Sequence, residues 1–231
     1  MRWADSTVAA CRWHVVISRE ETTRICLVRH GETTWNVDKR IQGQIDIGLN
    51  AAGLSQAEAA AVWLAGEPVT ALYSSDLLRT RQTAERLAAR LKLRPSLRSE
   101  FRERRYGIFE GLTYDESRAR YPAEYLAFER REPDFVIPQG GESLQQLYER
   151  VRAGLQRIAI DHRGQTVVVV THGGVLDIVN RLVRGHPLSN PRDFLIPNAG
   201  INWVSVRDGC WSLETWGETG HLVMVGLDEM P

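Results

Sequence analysis

Ile25-Cys26-Leu27-Val28-Arg29-His30-Gly31 and Val167-Val168-Val169-Val170-Thr171-His172-Gly173 are two short apolar runs that stop at the same pair, a histidine followed by a glycine. Neither run alternates apolar with polar residues. Continuous apolar runs of this length fit strands buried on both faces, the inner strands of a parallel sheet with helices above and below.

Working outward, the rest of the chain alternates in the same sense. Asn50 is placed to cap a helix whose apolar positions are Leu54, Ala57, Ala61, Leu64 and Ala65, and Gly66 and Pro68 stop it. Val69 to Tyr73 is a second strand, ending at Ser74-Ser75-Asp76, and a helix with Leu78, Ala84, Leu87, Ala88 and Leu91 follows. Ser143 caps an amphipathic helix carrying Leu144, Leu147, Tyr148, Val151, Leu155 and Ile158. After His172 comes another helix, ended by Gly185 and Pro187. Asp208-Gly209 between two strand-like runs is a hairpin signal. The expected fold class is α/β: a three-layer α/β/α sandwich with a mostly parallel mixed sheet. From residue 94 the composition turns to Arg, Glu, Tyr and Pro with short helical patterns, so a small helical cap insertion is expected over about residues 100–142. Residues 1–23 read as an N-terminal extension with no clear signal-peptide pattern, and 24–231 as one domain.

In an open α/β sheet, ligands bind beyond the carboxyl ends of the strands. If the two His-Gly strands are parallel neighbours, His30 and His172 meet in one crevice, and each glycine lets backbone amides approach a ligand. Such a pair has three readings: histidines with no task, a metal site, or phosphate handling with one imidazole as nucleophile. No His-x-His, Cys-x-x-Cys or His-Glu-x-x-His spacing occurs to supply further metal ligands. Arginines favour the third reading. Arg29 adjoins His30, and Arg79 and Arg81 follow the end of the second strand, where guanidinium groups can bind a phosphate dianion and offset charge in its transition state. Expelling an alkoxide also requires an acid, and Glu103 is the candidate, although several carboxylates lie near it in the sequence.

The composition is compatible with this. The formal net charge is zero, which argues against a general nucleic-acid or membrane-surface partner. All but two of the 29 basic side chains, Lys39 and Lys92, are arginine, which fits phosphate recognition but equally a biased genome. The three cysteines, Cys11, Cys26 and Cys210, have no regular spacing, and a reducing cytoplasm is expected. The tryptophans Trp203, Trp211 and Trp216 are expected to pack the hairpin, which also offers an edge for a homodimer.

Arg29 to Asn36 reads Arg-His-Gly-Glu-Thr-Thr-Trp-Asn. Together with Gln42-Gly43, Ser74-Ser75-Asp76-Leu77 with Arg79 and Arg81, Glu103 with Tyr106-Gly107, Gly141-Glu142-Ser143 and Thr171-His172-Gly173, it resembles the histidine phosphatase superfamily, the phosphoglycerate mutase-like proteins. The resemblance spans roughly residues 23–207. It implies that His30 forms a phosphohistidine, that Arg29, Arg79 and His172 bind phosphoryl oxygens, and that Glu103 is acid and base. It implies that Asn36 orients the phosphate or its loop, and that Gln42, Gly43, Arg81, Tyr106 and the backbone of Gly173 and Gly174 line the pocket. The substrate implied is a small-molecule phosphate ester, with no metal or organic cofactor.

Within the resemblance, phosphatase is the leading expectation. Mutases dependent on 2,3-bisphosphoglycerate carry a lysine where Tyr114 stands, and a longer insertion than Glu132 to Gly141 before the Glu-Ser segment. Arg130-Arg131 falls near the position of a mutase arginine pair, so mutase activity remains the alternative. A non-catalytic phosphate-binding protein is the third reading.

Overall fold

The computed structural model describes residues 22–227, so residues 1–21 of the N-terminal extension lie outside the described residues. In chain order the elements are β1 (Thr23–Arg29), the single-turn α1 (Thr34–Val37), α2 (Ala51–Leu64), β2 (Val69–Ser74), α3 (Leu78–Leu91), β3 (Pro95–Leu97), α4 (Tyr114–Arg120), α5 (Pro122–Glu129) and α6 (Leu144–Asp161). Then follow β4 (Thr166–Thr171), α7 (Gly173–Arg184), β5 (Ile201–Arg207), β6 (Cys210–Glu218) and α8 (Gly220–Leu227).

The sheet runs β3-β2-β4-β1-β5-β6. The first four strands are parallel, and the β5–β6 hairpin joins antiparallel to β1. Because side chains alternate across a strand, the two decisive runs divide their apolar residues between two cores. Ile25, Leu27, Val167 and Val169 face α6 and α7, packing with Val151, Leu155, Ile178 and Val179. Cys26, Val28, Val168 and Val170 face α2 and α3, packing with Ala60, Leu64, Ala84 and Leu87. This is the expected sandwich. All four valines of β4 are fully buried, each worth roughly 2 kcal/mol of transfer free energy.

The local signals work as read. The Asn50 side chain accepts the Gly53 N–H at 2.7 Å, Ser143 and Gln146 form a reciprocal cap on α6, and Gly185 ends α7 in the left-handed region. Trp203 is buried in the core, with the Arg24 guanidinium over its ring. Two elements carried no readable signal. β3 has only three residues and opens with Pro95, which an edge position tolerates because that amide need not pair. α8 packs on α2 and is too short and uniformly apolar to show a helical period. No helix among the described residues is long and apolar enough to cross a membrane.

The segment before α6 holds two 3₁₀ turns, α4 and α5, and its Ile108, Phe109, Tyr125 and Ile137 form a small core with Ile41 from the loop between α1 and α2. Charged side chains tie it to the sandwich. Arg131, just past α5, donates to the Asp177 carboxylate on α7 and to the Leu188 carbonyl at 2.8 Å. Arg150 on α6 donates to the carbonyls of Glu100, Arg102 and Glu103 and pairs with Glu142. The chain around Glu103 is therefore clamped by a guanidinium rooted in the sandwich.

Candidate active site

Leu27 lies opposite Val169 and Arg29 opposite Thr171, so β1 and β4 release their histidines at the same level. The His30 and His172 rings stand 5.2 Å apart between centroids, and both are buried. The His30 amide donates to Thr171 O at 2.9 Å, and its carbonyl accepts from the Ala199 amide and the Asn198 side chain. Its ring Nδ1 lies 2.7 Å from the carbonyl of Gly31. A carbonyl can only accept, so Nδ1 carries the proton and Nε2 of the neutral ring keeps a lone pair. Burial, with Arg79 and Arg29 adding repulsion, pushes the His30 pKa well below the ordinary imidazole value. The free base thus predominates at neutral pH, as a nucleophile requires.

Two guanidinium groups flank the rings. Arg79 is fully buried, donating to Ile45 O at 3.0 Å and Gly43 O at 2.7 Å. Burial brings its pKa down to about 10, so it is still charged at neutral pH. Arg29 donates to Ile196 O at 2.6 Å, and burial lowers its pKa as well. The Nε atoms of both arginines are buried with no partner in the protein, as are His172 Nδ1 and Gln42 Oε1. Buried polar atoms normally find partners, and the two unpartnered arginine Nε–H donors can hold an anion between these rings.

Glu103 faces the same cluster. The Gly174 N–H in the first turn of α7 reaches both of its carboxylate oxygens, at 3.0 and 3.1 Å, and the Arg104 amide donates to Oε1 at 2.7 Å. A helix N-terminus with free amides is a natural seat for a carboxylate. A cavity of about 90 Å³ is lined by Arg29, His30, Asn36, Gln42, Gly43, Arg79, Glu103 and Tyr106, joined by Arg40, Ile41 and Tyr114.

The family model of the histidine phosphatase superfamily (branch 1) matches residues 25–219. The chain belongs to this superfamily. A metal-independent phosphoserine phosphatase of Arabidopsis thaliana is 43% identical over 229 residues, 97% of this chain and 94% of that protein. Phosphoglycerate mutase-like protein 4 of the same plant is 40% identical over 206 residues, 88% of each. Among solved structures, a mutant phosphoserine phosphatase from Entamoeba histolytica in complex with phosphoserine superposes with a TM-score of 0.79 at 28% identity, covering 87% of this chain and 99% of that one.

Most residues singled out in this histidine phosphatase by sequence meet at the cavity, but not all in the expected way. Asn36 Oδ1 accepts from the Thr33 amide, the Thr33 hydroxyl and the Asn198 side chain, so it orders the loop behind His30. Gly174 acts through Glu103, and Gly173 lies beside Arg29 and Glu103. Burial keeps the Tyr106 hydroxyl protonated well past its usual range. Arg81 is the correction. It is exposed and lines no part of the cavity. Two residues along a helix turn the side chain by about 200°, so Arg79 and Arg81 cannot face one ligand together. Sequence reasoning gave no role to Ser75, which holds the His172 ring, or to Arg150. Ser75 sits at a strand end beside the other site residues, a usable signal, whereas Arg150 lies on a helix face where nothing distinguishes it from solvated charge.

Beside the first cavity lies a second of about 340 Å³. Tyr106 and Tyr114 line both, and Tyr125, Phe128 and Arg104 complete its aromatic and cationic wall. Arg104 is nearly fully buried, its guanidinium 5.7 Å from the Tyr106 ring centroid.

Proposed function

We propose that this protein hydrolyses small phosphate monoesters through a phosphohistidine on His30. The observation that carries the reading is the His30 ring itself: Nδ1 is tied to the Gly31 carbonyl, and the lone pair is left on Nε2 beside Arg29 and Arg79, whose buried Nε atoms have no partner in the protein.

In the first step Nε2 attacks phosphorus, the N–P bond forms, and the P–O bond to the leaving group breaks. Glu103 passes a proton to the departing oxygen. In the second step the Glu103 carboxylate takes a proton from water as the water oxygen attacks phosphorus. The N–P bond breaks, and inorganic phosphate leaves with the His30 lone pair restored. Arg29, Arg79 and His172 hold the non-bridging oxygens, where charge spreads in a loose transition state. Asn36, Gln42, Gly43 and Tyr106 shape the phosphate cavity, and the leaving group extends into the cavity of Tyr125, Phe128 and Arg104. Gly173 and Gly174 act through the groups they contact. The chemistry is carried by side chains alone.

Support for hydrolysis over mutase action comes from the phosphatase names among the relatives and from the short cap. A cytoplasmic location belongs to this reading, since small phosphorylated metabolites are charged and do not cross membranes unaided. A homodimer would pair along β6, the last strand of the sheet among the described residues. The test is an assay with an aryl phosphate and with phosphoserine, in the presence of a chelator and without bisphosphoglycerate. Release of phosphate is expected. Interconversion of phosphoglycerates that depends on bisphosphoglycerate, without such release, identifies a mutase instead. Binding of phosphate esters without turnover identifies a binding protein.

A further inference from the structure

His172 is held by a chain of hydroxyl groups whose protons can be counted. The Thr80 hydroxyl oxygen lies 2.7 Å from the Leu77 carbonyl and 3.1 Å from the Ser75 carbonyl. Carbonyls only accept, so the Thr80 proton points at them, and toward Ser75 Oγ, 2.7 Å away, Thr80 can only accept. The Ser75 proton is thereby committed to Thr80. Ser75 Oγ also lies 2.7 Å from His172 Nε2, where it must now accept. His172 Nε2 therefore carries a proton, and in the neutral ring Nδ1 is a bare lone pair. That Nδ1 is buried with no partner in the protein, and it is the one ring nitrogen left for a ligand.

A lone pair repels a phosphate oxygen, whereas an N–H donates to it. We propose that Ser75 is a positioning residue that locks the His172 proton on Nε2, so that the ring takes a further proton from solvent onto Nδ1 when a dianion binds. One N–H bond forms, and the imidazolium donates from both nitrogens, to Ser75 and to the anion. The idea rests on the phosphate-binding reading of the pocket and adds to it a proton linked to binding. The surroundings agree. The charged and titratable groups acting on His172 are Arg79 from α3, His30 and Arg29 from the end of β1, and Arg150 from α6. Burial and the positive groups among these keep the free ring neutral, its pKa well below the ordinary value. A bound dianion reverses that field at the point where the proton is needed.

Tungstate is a suitable probe because it stays a dianion between pH 7 and 8, so any proton taken up goes to the protein. Calorimetric titration in buffers of different ionisation heat should show uptake of about one proton per tungstate bound. Ser75→Ala frees the ring to move its proton to Nδ1, and uptake should fall below about half a proton. Thr80→Val releases the Ser75 proton toward Nε2 and should reduce uptake while leaving the partner of His172 in place. His30→Ala should retain it. In histidine-labelled protein, ¹⁵N spectra should show His172 as the neutral Nε2–H form in the free state and doubly protonated with tungstate. Tungstate binding without uptake, unchanged uptake in both hydroxyl variants, or loss of uptake in His30→Ala overturns the inference while sparing the phosphate site. Failure of tungstate to bind overturns both.

Discussion

The ends of β1 and β4 carry the same His-Gly pair at the same level of the sheet, yet each leaves a different ring nitrogen free. After His30 the chain bends through Gly31, whose carbonyl folds back onto Nδ1. That bend presses Gly31 against α2: a Cβ there would lie 2.3 Å from the Gly53 carbonyl oxygen. After His172 the helix starts at once, and its carbonyls point along the axis to later amides rather than back to the ring. The His172 ring takes its partner from another strand end, Ser75, through Nε2. One imidazole thus presents the Nε2 lone pair suited to attack on phosphorus. The other leaves Nδ1 buried without a partner in the protein. Local sequence decides where a side chain leaves the sheet, and the partner across the fold decides which of its atoms does chemistry.

The contrast can be broken most decisively at His30. His30→Ala should lower kcat by at least about 10³-fold and abolish acid-labile labelling by a phosphate donor. Labelling that survives in this variant would move the nucleophile elsewhere, His172 being the first suspect. Glu103→Gln should slow alkyl phosphates by about 10²-fold and activated aryl phosphates far less, because only the poorer leaving group needs the proton. A uniform decrease across a leaving-group series contradicts an acid role.

The two glycines after His172 sharpen the comparison further. A methyl on Gly174 would stand 2.2 Å from Glu103 Oε1, whereas one on Gly173 meets nothing closer than 3.8 Å. Gly174→Ala should therefore cost about tenfold in kcat, and Gly173→Ala less than about threefold, with thermal melts showing both folded. Comparable losses in the two variants would detach the helix N-terminus from Glu103.

The pH dependence follows from the direction of the His30 shift. Its pKa lies below the unfolded value, so the free base survives as pH falls through about 6.5, and the acid limb of kcat/KM should lie below that point. The same sign makes the unfolded chain bind more protons there, so the melting temperature should drop as pH falls below about 6.5. A half-point at or above the ordinary imidazole value would show that His30 is not held neutral. The smallest effect belongs to Arg81→Ala, expected to leave kcat/KM within about twofold because the side chain faces solvent. A large loss would return Arg81 to the site.

Much of the fold was legible because strands buried on both faces must be apolar throughout and helices must be capped. The valines of β4, Asn50, Ser143 and Gly185 announce themselves in the sequence for those reasons. β3 and α8 were silent because three edge residues and a short apolar turn have no period to read. At the site, Arg29, His30 and His172 were legible from strand ends alone, and Arg79 and Glu103 gained weight from the family's ordered motifs. Arg81 misled because linear proximity to Arg79 says nothing of helix phase. Arg150 was hidden because, apart from Glu142, its partners are backbone carbonyls of a distant segment, and a carbonyl has no sequence signature.

By itself, the amino-acid sequence determined the layered α/β architecture and the delivery of two imidazoles and a guanidinium to one sheet edge, since burial pattern and strand ends are local properties. Only the tertiary structure decided which nitrogen of each ring is free, that Glu103 rests on the first turn of α7, and that Arg81 points away. Those outcomes depend on hydrogen bonds between segments far apart in the chain, and such partners become neighbours only once the core has closed.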